Sequence, residues 1–199
     1  MKSIATLFVL LISAYFYAQN NNVQFRESSF ENGMTYPQVV LPGAQEFEDS
    51  INRDILNRIS DLEKSDFCIG QYGYIQKSSH LQIHIFCNCI DFEESVNRYL
   101  LYNIDEGRAV PYSNMLNKKM KKQATQFLIE TTEKWLESNS IDADKKNIEK
   151  INELSLDAFI VVLKKDGMDL WLKEEENWGN EALFIDWNQM KNFLKYRFI

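Results

Sequence analysis

Apolar residues in segment 45–62 recur at Phe47, Ile51, Ile55, Ile59 and Leu62, at intervals of four, four, four and three. That spacing gathers them on one side of a helix and predicts an amphipathic element packed on a sheet, with Glu48, Asn52 and Arg53 turned to water. Segments 67–76 and 81–90 instead alternate with a period of two and predict two strands joined through Lys77-Ser78-Ser79-His80 as a hairpin. Upstream, 23–30 reads as a first strand, followed by a loop containing Gly33, Pro37, Pro42 and Gly43. Downstream, 96–104 reads as a third strand of the hairpin sheet, closed by Asp105-Glu106-Gly107.

Pro111 and Ser113 introduce a long helix over 115–136, with Met120, Ala124, Phe127, Leu128, Thr131 and Trp135 as its stripe. Asp142 or Asp144 caps a short helix carrying Ile148, Ile151 and Leu154. Segments 158–163 and 168–172 flank Lys164-Lys165-Asp166-Gly167, and Asp-Gly between alternating apolar runs signals a hairpin. A last strand at 182–186 and a helix at 188–196 end the chain. Hairpins in place of βαβ crossovers predict an α+β fold, a largely antiparallel sheet with helices packed on it.

The N-terminus has a different pattern. Lys2 precedes an almost wholly apolar run at 4–17, which ends at Ala18-Gln19 before Asn20-Asn21-Asn22. The run is shorter than the roughly 20 residues of a membrane span and has the charged, apolar and small-residue zones of a secretory signal. Residues 1–18 are therefore expected to be a signal peptide and 19–199 a single α+β domain, exported to the periplasm or the medium, with no membrane span in the mature chain. The absence of a cysteine at the junction argues against a lipid anchor there.

Composition narrows the partners. The 199 residues are 45% hydrophobic and 26% charged, which excludes disorder along the whole length. The formal charge of −7 becomes −8 once Lys2 is removed, and such a chain has no broad electrostatic claim on nucleic acid or anionic lipid. A basic partner protein is the better match.

Candidate chemistry is sparse. His80 and His84, the two histidines, lie close to Cys87 and Cys89, and these types suit zinc or copper when they share a face. Strand alternation sends the histidines to one side and the cysteines to the other, so no metal site is assigned, and the histidines are expected half-exposed on the solvent side. Three cysteines make either one pair and a spare or three free thiols. Centring the hairpin between Ser78 and Ser79 sets positions summing to 157 opposite one another. Cys68 then faces Cys89, which makes that pair the disulfide candidate. No nucleophile elbow or phosphate loop is present, and no cofactor is called for. The acidic runs Asp91-Phe92-Glu93-Glu94 and Glu174-Glu175-Glu176, and the basic Lys118-Lys119-Met120-Lys121-Lys122, read first as solvated surface.

The ordered motifs resemble an extracellular domain of unknown function found in lysozyme-sensing anti-sigma factors and beside the catalytic module of peptidoglycan deacetylases (the RsiV/PdaC C-terminal type). The matching parts begin with Ser50-Ile51-Asn52-Arg53-Asp54-Ile55. Tyr102-Asn103-Ile104-Asp105-Glu106-Gly107-Arg108 is similar to the family's Tyr-Asp-x-x-Thr-Gly-Lys pattern, and Ser113-Asn114-Met115-Leu116 stands where its next helix opens. The hairpin at 159–172, Trp178-Gly179 and Ile185-Asp186-Trp187-Asn188-Gln189-Met190 match its closing elements. The family's Gly-Gly-Ala-His stretch is replaced here by 87–97, so no binding residue is carried over.

The resemblance implies a non-catalytic module of the cell envelope, binding a cell-wall enzyme, a wall fragment or a secreted toxin. An envelope hydrolase working through carboxylates is the alternative. The segment 91–97 is the first candidate contact, because Phe92 sits among Asp91, Glu93 and Glu94 and would suit a basic envelope or secreted protein.

Overall fold

The computed structural model describes residues 23–92, 95–139, 156–172 and 182–195. The central layer is a four-stranded antiparallel sheet of order β3 (Cys68–Lys77), β4 (His80–Cys89), β5 (Val96–Asn103) and β6 (Arg108–Ala109). Its register follows from the two-residue connection Ser78-Ser79, where Ser78 takes a positive φ of 52°. Lys77 pairs with His80, and the ladder runs without slip to Cys68 opposite Cys89.

One face of this sheet is covered by α1 (Gln45–Ile59) and by the hairpin of β1 (Gln24–Ser29) and β2 (Thr35–Val40). Strand β2 lies where the prolines suggested only loop. Pro37 is tolerated because it stands in a two-stranded ladder, opposite Glu27, where a missing donor costs little. Ile51, Ile55 and Ile59 of α1 are buried against Leu81, Ile83, Ile85 and Tyr102. Phe47, expected on the same stripe, is 37% exposed at the first turn.

Glu48 and Asn52 do not simply face water. Glu48 Oε2 accepts from Leu41 N at 2.9 Å, and Asn52 bonds both Val39 N (2.7 Å) and Val39 O (2.8 Å). The helix thus supplies hydrogen-bonding groups along β2, satisfying backbone that the ladder leaves open. Ile55 is 1% exposed in this layer, so Ile55→Val should cost about 1 kcal/mol in a denaturant melt. An unchanged midpoint would place this face outside the core.

The other face receives a three-stranded antiparallel sheet, β7 (Phe159–Leu163), β8 (Gly167–Leu172) and β9 (Leu183–Asp186), together with α2 (Lys121–Ser138). Helix α2 starts later than its periodicity implied, because Tyr112–Met115 and Lys118–Met120 form 3₁₀ turns. Its buried stripe is Ala124, Leu128, Ile129, Thr132 and Leu136, with Phe127, Thr131 and Trp135 at the margin. The final helix is one turn, α3 (Trp187–Met190), held by a capping box between Asp186 and Gln189. The chain is therefore α+β, with antiparallel sheets and helices packed on them. The expected signal peptide and short helix at 142–154 lie outside the described residues, and no helix among those described is long and apolar enough to cross a membrane.

Gln82 joins the two sheets. Its Nε2 donates to Val161 O and Tyr112 Oη, both at 2.6 Å, while its Oε1 accepts from Leu163 N at 2.8 Å. The side-chain amide thus serves the edge of β7 as an extra peptide group would.

Candidate functional site

The second layer covers only part of the central sheet. Alternation puts Gln82, His84, Phe86 and Asn88 of β4 on the face opposite its buried Leu81, Ile83 and Ile85. At the turn end of the hairpin this face is closed, with His80 at 0% and Gln82 at 2% exposure. At the open end it is bare. Ile69 is 58% exposed and Phe86 36%, and their opposite residues Asn88 and Gln71 are exposed as well.

One pair extends the ladder beyond β3 and β4. Ile90 N donates to Phe67 O at 3.0 Å, so these residues oppose each other and continue the same face. Phe67 is 53% and Ile90 73% exposed. Phe67, Ile69, Phe86 and Ile90 thus form an exposed cross-strand apolar group, the kind of patch that marks an interaction surface.

Three links fix this end. Cys68 and Cys89 are joined in a disulfide, with Cα atoms 4.1 Å apart. Asn32 bonds Leu62 O at 2.8 Å and Ser65 O at 3.1 Å through its amide, and its backbone carbonyl accepts from Cys68 N at 3.1 Å. Asp91 Oδ2 accepts from Ser65 Oγ at 2.6 Å and Asp66 N at 3.0 Å. The Ser65 hydroxyl and the Asp66 amide hold the Asp91 carboxyl below the usual carboxylate range. Asp91 is therefore a clasp as well as an exposed charge. Phe92 follows in the turn, 38% exposed, while Glu93 and Glu94 lie outside the described residues. Among the described residues flanking the patch in sequence, the exposed Glu63, Asp66 and Asp91 stand against Lys64, a negative balance.

The histidines differ from each other. His84 stacks on Tyr99 with centroids 4.2 Å apart and bonds Asn97 at 2.9 Å, at the boundary between covered and bare halves. His80, expected half-exposed, is buried because the second layer closes over the turn end of β4. Burial, reinforced by Lys195 and opposed by Glu106 and Asp105, lowers its pKa. The unfolded chain, with an imidazole pKa of about 6.5, then binds a proton that the folded chain resists. Stability is present above that pH and is lost as the pH falls. Urea melts of wild type should weaken between about pH 7.5 and 5.5, by at most about 1.4 kcal/mol per pH unit, and His80→Gln should flatten that dependence. Equal slopes would contradict it.

The cysteines cluster on the opposite face. The spare thiol, Cys87, is buried, and its Sγ lies 2.9 Å from Cys89 Sγ. Burial raises its pKa, with Asp61 adding and Arg98 opposing. Sequence alternation placed Cys87 and Cys89 on one side and the hairpin register brought Cys68 to Cys89, but neither placed the Cys87 sulfur against that pair.

A cleft of about 410 Å³ lies elsewhere, between the end of α1, strand β5 and the segment that follows β6, lined by Arg58, Tyr99, Tyr112 and Asp157. Its polar groups hold the fold together. Arg58 Nε donates to Asp54 Oδ2 at 2.7 Å, Asp54 also accepts from the Tyr102 hydroxyl at 2.9 Å, and Asp157 Oδ1 accepts from Ser113 N at 2.9 Å. Burial raises Tyr102 far above the usual phenol range and pushes Tyr112 up to about 12, so both stay protonated, Tyr102 donating to Asp54 and Tyr112 accepting from Gln82.

No family model matches the sequence, and no curated protein matches it. Among solved structures, the chain is similar to a DUF3298 family protein from Pseudomonas aeruginosa PAO1, with a TM-score of 0.53 and 10% sequence identity, over 92% of this chain and 98% of that one. A DUF3298 family member from Bacteroides fragilis NCTC 9343 aligns with a TM-score of 0.44 and 10% identity, over 88% of this chain and 93% of that one. The chain has the fold of a DUF3298 family protein.

Proposed function

We propose that this chain is an exported, non-catalytic binding module of the cell envelope that engages a basic protein through the bare face of the β3–β4 hairpin. The observation that carries the reading is the cross-strand group of Phe67, Ile69, Phe86 and Ile90, exposed on a rigid, disulfide-linked sheet end. Exposed apolar side chains flanked by acids offer an apolar centre and a charged rim to one partner. The mature charge of −8 adds long-range attraction for a basic surface. Export rests on the N-terminal signal pattern, with the mature chain beginning near Gln19.

The resemblance to domains of lysozyme-sensing anti-sigma factors makes lysozyme, a basic cell-wall enzyme, the first protein to try. Ile69→Lys with Phe86→Lys places like charge against such a partner while altering only exposed positions. Binding by calorimetry should weaken by roughly 100-fold, the effect of about 2.7 kcal/mol, and the melting temperature should stay nearly constant. Turnover of peptidoglycan by the purified mature chain, abolished by a single carboxylate substitution, would instead establish a hydrolase.

A further inference from the structure

The inner side of the same hairpin end holds three sulfurs. Cys68, Cys87 and Cys89 are all buried, and their Sγ atoms lie within 4.8 Å of one another. Two of them form the disulfide, and the third stands 2.9 Å from Cys89 Sγ. Sheet geometry makes this arrangement: Cys68 and Cys89 are a directly opposed pair, and Cys87, opposite Gly70, is the next inward position on β4. Gly70 has no side chain to contribute there, so the three sulfurs are the soft donors among the described residues at this spot.

The geometry points to a soft-cation site gated by the disulfide, which takes one Cu(I) ion in three-coordinate thiolate ligation once the bridge is reduced. A dithiol reductant of the thioredoxin class supplies two electrons and two protons. The Cys68–Cys89 bond breaks to give two thiols, and the reductant's own sulfurs join in a disulfide. Each of the three thiols then gives up its proton to solvent as its sulfur bonds the ion. Metal–sulfur bonds of about 2.3 Å around a trigonal ion set the sulfurs about 4 Å apart, so once the bridge is cleaved the Cys68 and Cys89 sulfurs separate by about 2 Å and Cys87 Sγ withdraws by about 1 Å from Cys89 Sγ.

The ion's identity follows from the donor set. Zinc in protein sites takes four ligands in a tetrahedron, whereas three thiolates in a closed, apolar layer with Ile85, Leu62 and Ile59 suit a soft monovalent d¹⁰ ion. While the bridge is intact, two of the three sulfurs carry no thiolate, and the site is closed.

The test uses the mature full chain, reduced with excess dithiothreitol, desalted without oxygen and titrated with Cu(I) against a bathocuproine competitor. Circular dichroism follows the fold, and X-ray absorption counts sulfur neighbours. Reduced wild type should take one equivalent with three sulfur neighbours, and the oxidised chain none. Reduced Cys87→Ser should lose affinity by roughly 100-fold or more, the upper end of what even an outer partner of a metal costs. Equal binding by Cys87→Ser, preference for Zn(II), or no copper bound by the reduced chain would overturn the proposal. So would a reduced chain that has lost its sheet signal and does not regain it with copper.

Discussion

Replacing Gln82 with leucine should lower the unfolding free energy by about 3–5 kcal/mol, although leucine is the more hydrophobic residue and the site is buried. The reason is what the amide serves. Val161 O, Leu163 N and the Tyr112 hydroxyl all bond to Gln82, at 2.6–2.8 Å, in a region closed to water. Leucine fills similar space but leaves a backbone donor, a backbone acceptor and a phenol unserved, each at a cost of about 1–3 kcal/mol, partly offset by the apolar gain. Chemical denaturation would measure the loss, and hydrogen exchange would locate it, with the Leu163 amide losing protection before those of β3 and β4. A Gln82→Leu chain within about 1 kcal/mol of wild type would mean that the two layers are joined by apolar contact alone.

The second large effect concerns the disulfide. Cys68→Ser with Cys89→Ser should destabilise the chain by about 3 kcal/mol on the loop-entropy account, given a sequence separation of 21. The loss should appear first at the open end of the hairpin, because the turn end is buried under the second layer while Ile69 and Ile90 are held by the ladder, the bridge, the Asn32 bonds and the Asp91 clasp. Comparing urea midpoints with local exchange rates separates this outcome from uniform destabilisation. Uniform weakening would show that the bridge acts on the unfolded chain alone and does not stiffen the exposed face.

Much of the architecture was legible in local pattern. A two-residue connection and strict alternation determine the β3–β4 register, and intervals of three and four determine the buried isoleucines of α1. What was not legible depended on tertiary neighbours. Pro37 hid β2, because a proline argues against a strand until its place in a two-stranded ladder is known. Helical periodicity assigned Glu48 and Asn52 to water, yet β2 runs beside them and uses their polar atoms. His80 and Phe86 share one alternating face, and nothing local says that the second layer buries one and stops short of the other. For the same reason Phe92 drew attention in sequence through its acidic neighbours, whereas Phe67, Ile69 and Ile90 read as ordinary strand residues. Residues 140–155, with their proposed helix, and Glu93 and Glu94 lie outside the described residues.

The central claim is that recognition resides in the bare face, and paired capture tests it most directly. Mature wild-type chain and the Ile69→Lys, Phe86→Lys double variant are immobilised at equal density and exposed to the same envelope and culture-medium proteins, with retained species quantified by mass spectrometry across a salt series. The account predicts that wild type retains a basic protein at defined stoichiometry, that salt weakens its hold, and that the double variant loses it while melting at the same temperature. Retention of the same protein to the same extent by both chains would contradict the account and place recognition elsewhere on the fold.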